Sequence, residues 1–159
     1  MCTRETPPTT RYPNPQTELF LRLLRVSDQL DRAFHQLLRP FGLTHPQYNV
    51  LRILRGAGPS GLTCSSIGRS MITSVPDITR LLARLHSRKL VQQHRDAADR
   101  RVVWTCITLQ GLELLQSLDP IVLEAPRRLL SSLSAQQMQE LNQLLQRIVM
   151  PASPACDQK

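Results

Sequence analysis

Between residues 18 and 38, apolar positions return in alternating steps of four and three: Leu19, Leu23, Val26, Leu30, Ala33 and Leu37. Such spacing draws one stripe along a helix and makes a seam that buries against another helix. Phe20, Leu24, Phe34 and Leu38 draw a second stripe beside it. Two stripes are more apolar surface than one small domain needs to cover, which points to a partner chain. Pro40 and Gly42 close this helix. Thr44, with Pro46 in the first turn, opens a second helix whose inward positions are Tyr48, Leu51 and Leu54, and the run from Gly56 to Gly61 ends it. Thr63 caps a short third helix around Ile67, and Ser70 to Thr73 make a turn. Ser74 and Asp77 have capping-box spacing, so a fourth helix is expected to start at Ser74, with Pro76 in its first turn and Ile78, Leu81, Leu82 and Leu85 buried.

The period then changes. Val91 to Arg95 and Val102 to Ile107 are β-branched or alternating and read as extended, with the polar segment Asp96 to Arg101 as a hairpin loop. Thr108 caps a further helix, expected to be interrupted or kinked near Pro120 and Pro126. Ser134 and Gln137 form a capping box before a last helix that lines up Met138, Leu141, Leu144, Leu145 and Ile148. Residues 1–17, which carry four prolines, and residues 150–159 read as flexible tails. The fold class is therefore mainly α with a small β-hairpin, and the length of 159 residues suits a single domain over 18–149.

Composition narrows the function. The formal charge of +8 favours a polyanionic partner, nucleic acid before an anionic membrane surface. No apolar run reaches membrane-spanning length, and the start of the chain lacks the apolar core of a signal peptide, so a cytoplasmic protein without a membrane partner is expected. Cys2, Cys64, Cys106 and Cys156 include no C-x-x-C pair, which argues against a disulfide framework or a zinc site. His35, His45, His86 and His94 are scattered, and no phosphate loop or nucleophile motif is present. Neither catalytic residues, metal nor cofactor are expected.

Two short helices joined by a turn and followed by a hairpin have the plan of a winged helix-turn-helix, here over residues 44–107. On the fourth helix Pro76, Arg80, Ala83 and Ser87 fall opposite the buried leucines, with Thr79 and Arg84 flanking. Small residues let a helix sit deep in a major groove, and arginines there reach guanine edges or phosphates. An ordinary amphipathic helix with a solvated arginine face has the same pattern. In the hairpin loop, Asp99 stands two residues before Arg101, a spacing at which a carboxylate can hold a guanidinium at the tip of a wing. Charges pairing among themselves in a soluble turn would look alike.

Leu43-Thr44, Gln47-Tyr48 and Val50-Leu51, then the run Thr79 to Leu85, Leu90-Val91, Asp96, Asp99-Arg100-Arg101 and Thr108-Leu109-Gln110-Gly111 together resemble the multiple-antibiotic-resistance-repressor (MarR) family of transcription regulators. The resemblance covers roughly residues 18–149. It implies a homodimer in which helices of 18–38 and 109–149 interlock and a winged domain projects from each side, binding double-stranded DNA. By this analogy Ser74, Pro76, Thr79, Arg80 and Arg84 belong to the recognition helix. Arg95, Asp99, Arg100 and Arg101 belong to the wing, with Arg101 in the minor groove and Asp99 holding it. Thr63, Ser65, Ser66 and Arg69 are candidates for the DNA backbone. Leu19, Leu23, Val26, Leu30, Leu141, Leu144, Leu145 and Ile148 are candidates for dimerisation.

The family's members often respond to a small phenolic or anionic effector in a cleft between the dimer region and the winged domain, so such a ligand is a candidate partner. Asp77 would repel phosphate unless it caps the helix or accepts from a cytosine amino group. A cysteine-based redox sensor of the same fold and a non-specific basic DNA-binding protein are the competing readings.

Overall fold

The computed structural model describes residues 14–73 and 75–148. Helix α1 (Pro15–Leu38) starts earlier than its apolar stripe, because the Asn14 side chain accepts from the Thr17 amide at 2.7 Å and Pro15 fits the first turn. The expected N-terminal tail is therefore three residues too long, and its residues 1–13 lie outside the described residues, as do 149–159. Gly42, at φ 64, ends the single turn of 3-10 helix Arg39–Phe41. Thr44 then caps α2 (His45–Ala57) in a capping box with Gln47.

Helix α2 is the centre of the first of two compact units, which divide the chain between Val122 and Leu123. Tyr48, Leu51 and Leu54 are buried as their spacing requires, and so are Gln47, Asn49 and Val50. An amphipathic stripe leaves those three outside; their burial follows from α2 touching α1, α3, α4 and β3 at once. Arg55 reaches from α2 to Asp119 through two hydrogen bonds of 2.7 and 3.0 Å. The rest of the core comes from Leu38, Leu43, Ile67, Leu81, Leu82, Leu85, Leu90, Val91, Leu115 and Leu118.

Strand β1 (Leu62–Thr63), unforeseen in the hydropathy pattern, joins the hairpin strands β2 (Val91–Arg95) and β3 (Val103–Ile107) in a three-stranded antiparallel sheet ordered β1-β3-β2. Leu62 faces Thr105, and Val91 faces Ile107. Helix α3 (Cys64–Ser70) follows β1 directly, with Thr63 as its cap. Helix α4 (Ile78–Ser87) packs on α2 and α3.

The junction from α4 to β2 is tight. Lys89 sits at φ 59, donates its amide to the His86 carbonyl at 2.8 Å and offers its own carbonyl to Thr108 Oγ1 at 2.7 Å. A side chain at positive φ strains the backbone by about 1 kcal/mol, and glycine relieves it. We expect Lys89→Gly to raise stability by about 0.5–1 kcal/mol in chemical denaturation. A lowered midpoint would show that the lysine's contacts outweigh the strain.

Helix α5 (Leu109–Leu129) is continuous through Pro120 and Pro126, so of the interruption or kink expected there the interruption does not occur. Proline has a helical φ but forfeits one amide bond and crowds the carbonyl four residues back, and the helix continues past that cost with Leu115 and Leu118 already anchored in the core before Pro120. In the second unit, the end of α5 turns at Leu130–Leu133 into α6 (Ala135–Gln146), opened by the Ser134–Gln137 capping box. Helix α6 buries none of its residues in this chain, and Met138, Leu141, Leu144 and Leu145 are exposed. Ile148, expected on this helix, lies past its last turn.

Candidate nucleic-acid interface

Helix α4 begins four residues later than its spacing suggested, because Asp77 is itself the N-cap, its Oδ1 accepting from the Arg80 amide at 2.8 Å. Asp77 therefore caps the helix, although not as the third residue of a box opened by Ser74. Ser74 lies outside the described residues, and Pro76 precedes the helix instead of standing on it. Proline disfavours helical geometry in the residue before it, which moves the start downstream. Leu81, Leu82 and Leu85 hold α4 against the core. Thr79, Arg80, Ala83, Arg84, His86 and Ser87 are exposed on its other side.

The N-terminus of α3 presents a small hydroxyl network. Thr63 Oγ1 accepts from the Ser66 amide at 3.3 Å and lies 3.1 Å from Ser65 Oγ, and Arg69 donates to Ser66 Oγ at 3.2 Å. Ser65 and Arg69 are exposed, whereas Thr63 and Ser66 are half-buried.

The wing is organised by Asp96. Its Oδ1 accepts from the amides of Ala98 and Asp99 at 2.8 and 3.0 Å, and its Oδ2 accepts from the Trp104 indole at 2.9 Å. These donors stabilise the ionised form, the Asp99 amide most and the indole next, and hold the Asp96 carboxyl below its ordinary pKa. The loop closes with Asp96 N donating to Val102 O and Val102 N to Asp99 O, both at 2.9 Å.

Asp99 acts differently from the expectation: its Oδ1 accepts from the Arg101 backbone amide at 3.0 Å, and the guanidinium has no carboxylate partner among the described residues. An aspartate in a turn captures the nearest orphan amide two residues on, at less entropic cost than ordering a long arginine. Arg95, Arg100 and Arg101 are all exposed. Sequence reading missed the part played by Asp96 and its partner Trp104. An aspartate opening a polar loop, with the chain's single tryptophan on the returning strand, was the available signal.

A cleft of about 680 Å³ opens between α3, α4 and the wing strands, lined in part by Thr63, Cys64, Thr79, Gln93 and Arg101. Cys64 is half-buried there with Sγ 3.9 Å from Thr79 Oγ1, and Cys106 is buried. Cys2 and Cys156 lie outside the described residues. No group of metal-ligand side chains occurs among the described residues, and no described helix is long and apolar enough to cross a membrane.

The sequence profile of the MarR family matches residues 41–102, the stretch that runs from the lead into α2 to the end of the wing loop. A solved MarR transcription factor from Planctomyces limnophilus is 36% identical, with a TM-score of 0.67 over 86% of this chain and 98% of its own. The chain belongs to the MarR family. The transcriptional regulator HosA of Escherichia coli is 28% identical over 131 residues, 75% of this chain and 96% of HosA. MepR of S. aureus, solved as a DNA complex, is 25% identical with a TM-score of 0.72 and covers 82% of this chain and 94% of its own. This MarR-family chain is accordingly a winged-helix transcription regulator.

Proposed function

We propose that this regulator is a cytoplasmic homodimeric repressor that recognises a specific duplex, with α4 in the major groove and the wing against the minor groove. One observation carries the reading: the outward arginines are unneutralised although three carboxylates stand beside them. Asp77, Asp96 and Asp99 accept from backbone amides and the Trp104 indole, and among the described residues Arg80, Arg84, Arg95, Arg100 and Arg101 have no ion-pair partner. A soluble turn pairs its charges; a surface prepared for polyanion keeps its cations available.

Thr63, Ser65 and Ser66 at the start of α3, with Arg69 in its last turn, supply hydroxyl and guanidinium donors suited to phosphate. Homodimerisation is supported by the apolar residues each chain leaves in water: Leu19, Val26 and Leu30 on α1, Leu141, Leu144 and Leu145 on α6, and Ile148 just past it are exposed, with Leu23 half-buried. The cleft beside Arg101 is mainly apolar, with Leu82, Val102 and Val103 beside one cation, a lining suited to an aromatic anion; it lies between α3, α4 and the wing, not where the resemblance puts an effector, between the dimer region and the winged domain. Cys64 in the same cleft keeps a redox reading as the second choice.

The test is binding of the purified full chain to the duplex upstream of its own gene, titrated against salt with non-specific competitor. Neutralising six or more phosphates should cost about a thousandfold in affinity between roughly 50 and 200 mM salt. A flat salt dependence refutes DNA binding through these arginines, and complete loss to competitor refutes specificity. In the same assay, release by aromatic acids with no response to peroxide selects the effector reading over the redox one. The opposite pair of results selects the redox reading.

A further inference from the structure

The chemistry displayed along α4 is narrow. Its ten residues, Ile78–Ser87, include no Asn, Gln, Asp or Glu. The adjacent carboxylate, Asp77, is committed to the Arg80 amide at 2.8 Å. In the major groove adenine is read bidentately by Asn or Gln, the cytosine amino group by a carboxylate, and guanine by Arg; Ser and Thr hydroxyls accept any base pair. The residues of α4 itself thus include no adenine reader and no cytosine acceptor, and the one carboxylate beside them is fixed at the helix end by its Oδ1 bond. The helix has two guanine readers.

Arg80 and Arg84 stand one turn apart on the exposed side, with neither guanidinium hydrogen-bonded or ion-paired among the described residues. Ala83, exposed between them, has only a methyl group and lets the helix approach the base edges. Four residues advance a helix by roughly 6 Å, which is about two base-pair steps of roughly 3.4 Å.

We propose, resting on the DNA-binding reading above, that Arg80 and Arg84 are the pair that determines specificity, and that each half-site of the operator carries two guanines about two base-pair steps apart. Thr79 and Ser87 add affinity without selecting a base. Asp77, held as a cap, contributes no preference for cytosine.

The experiment is selection by the full-length protein from a random duplex pool, repeated with Arg80→Ala, Arg84→Ala and Arg80→Gln. The parent should enrich half-sites with the two guanines. Each alanine variant should lose the preference at one guanine, weakening binding about ten- to a hundredfold on the parent's site, while its salt slope stays that of the parent. Arg80→Gln should change the selected base at that one step from guanine to adenine, since Gln pairs bidentately with adenine.

An enriched motif without guanines at those steps overturns the inference and leaves the regulator reading intact. So do alanine variants that keep both preferences but lower the salt slope by about one, which assigns the arginines to phosphates. A pool with no enriched sequence at all overturns the specific-regulator reading and the inference together. Circular dichroism and thermal midpoints of the variants separate these outcomes from misfolding, and Arg84→Gln repeats the base-switch test at the second step.

Discussion

An Asp96→Ala variant is expected to bind duplex DNA roughly ten- to a hundredfold more weakly than the parent while remaining folded. Asp96 touches no groove in this reading; it acts by ordering the loop that presents Arg95, Arg100 and Arg101. Removing its carboxylate leaves the amides of Ala98 and Asp99 and the Trp104 indole without their acceptor. The loop then samples many shapes in the free protein and must be ordered on binding, which subtracts directly from affinity. The core is untouched, because the Asp96 side chain contributes nothing to the cluster around α2 and α4.

Arg101→Ala is the informative partner, since it removes a cation and leaves the loop ordered. It should reduce the salt slope, whereas Asp96→Ala should not. Equal affinity of Asp96→Ala and parent would remove Asp96 from any part in recognition. The sign of the pH dependence follows from the same bonds. A carboxyl held below its ordinary pKa keeps its bonds at neutral and mildly acid pH and gives them up only as pH falls through its depressed value. Wing order is therefore expected to be insensitive to pH above the ordinary carboxylate range, and Trp104 fluorescence follows it directly.

The features legible in the sequence are the ones fixed by residues a few positions apart. The Thr44 cap and the Ser134–Gln137 box formed as spaced, and the inward leucines of α4 and the hairpin limits fell close to their expected places. Failures occurred where two local rules competed or where partners were distant. Asp77 could serve as the third residue of a box or as a cap, and with Pro76 before it the cap won. Asp99 could hold a guanidinium or an amide, and the amide was nearer. Strand β1 is two residues long and exists only because β3 lies beside it, so no hydrophobic period announces it. Long-range guanidinium contacts are equally silent in the sequence: Arg88 donates to the Phe41 carbonyl at 3.1 Å and also to that of Gly42, tying the end of α4 to the turn before α2.

Gly111→Ala is expected to destabilise the protein by about 3 kcal/mol, at the upper end of the cost of overpacking. The Thr108-x-x-Gly111 pattern is a backbone junction. Thr108 Oγ1 donates to the Lys89 carbonyl at 2.7 Å and accepts from the Gly111 amide at 3.1 Å, and the Thr108 amide donates to the Leu90 carbonyl at 3.1 Å. These bonds draw the first turn of α5 onto the chain leaving α4, so closely that a Cβ on Gly111 would run into the Leu90 carbonyl oxygen and, at 2.7 Å, Ile107 Cγ1. The first obstacle is backbone, and it cannot retreat without breaking the Thr108 bond to the same carbonyl. Gly56, in α2 with nothing within 4 Å of its added Cβ, gives the contrast. Gly56→Ala should stabilise by about 0.5–1 kcal/mol through helix propensity alone. At about 2–4 °C per kcal/mol for a chain of this size, thermal unfolding should drop by roughly 6–12 °C for Gly111→Ala and rise by a few degrees for Gly56→Ala. If Gly111→Ala melts with the parent, α5 is free to shift at its start, and the junction does not fix the first turn of that helix against the end of α4.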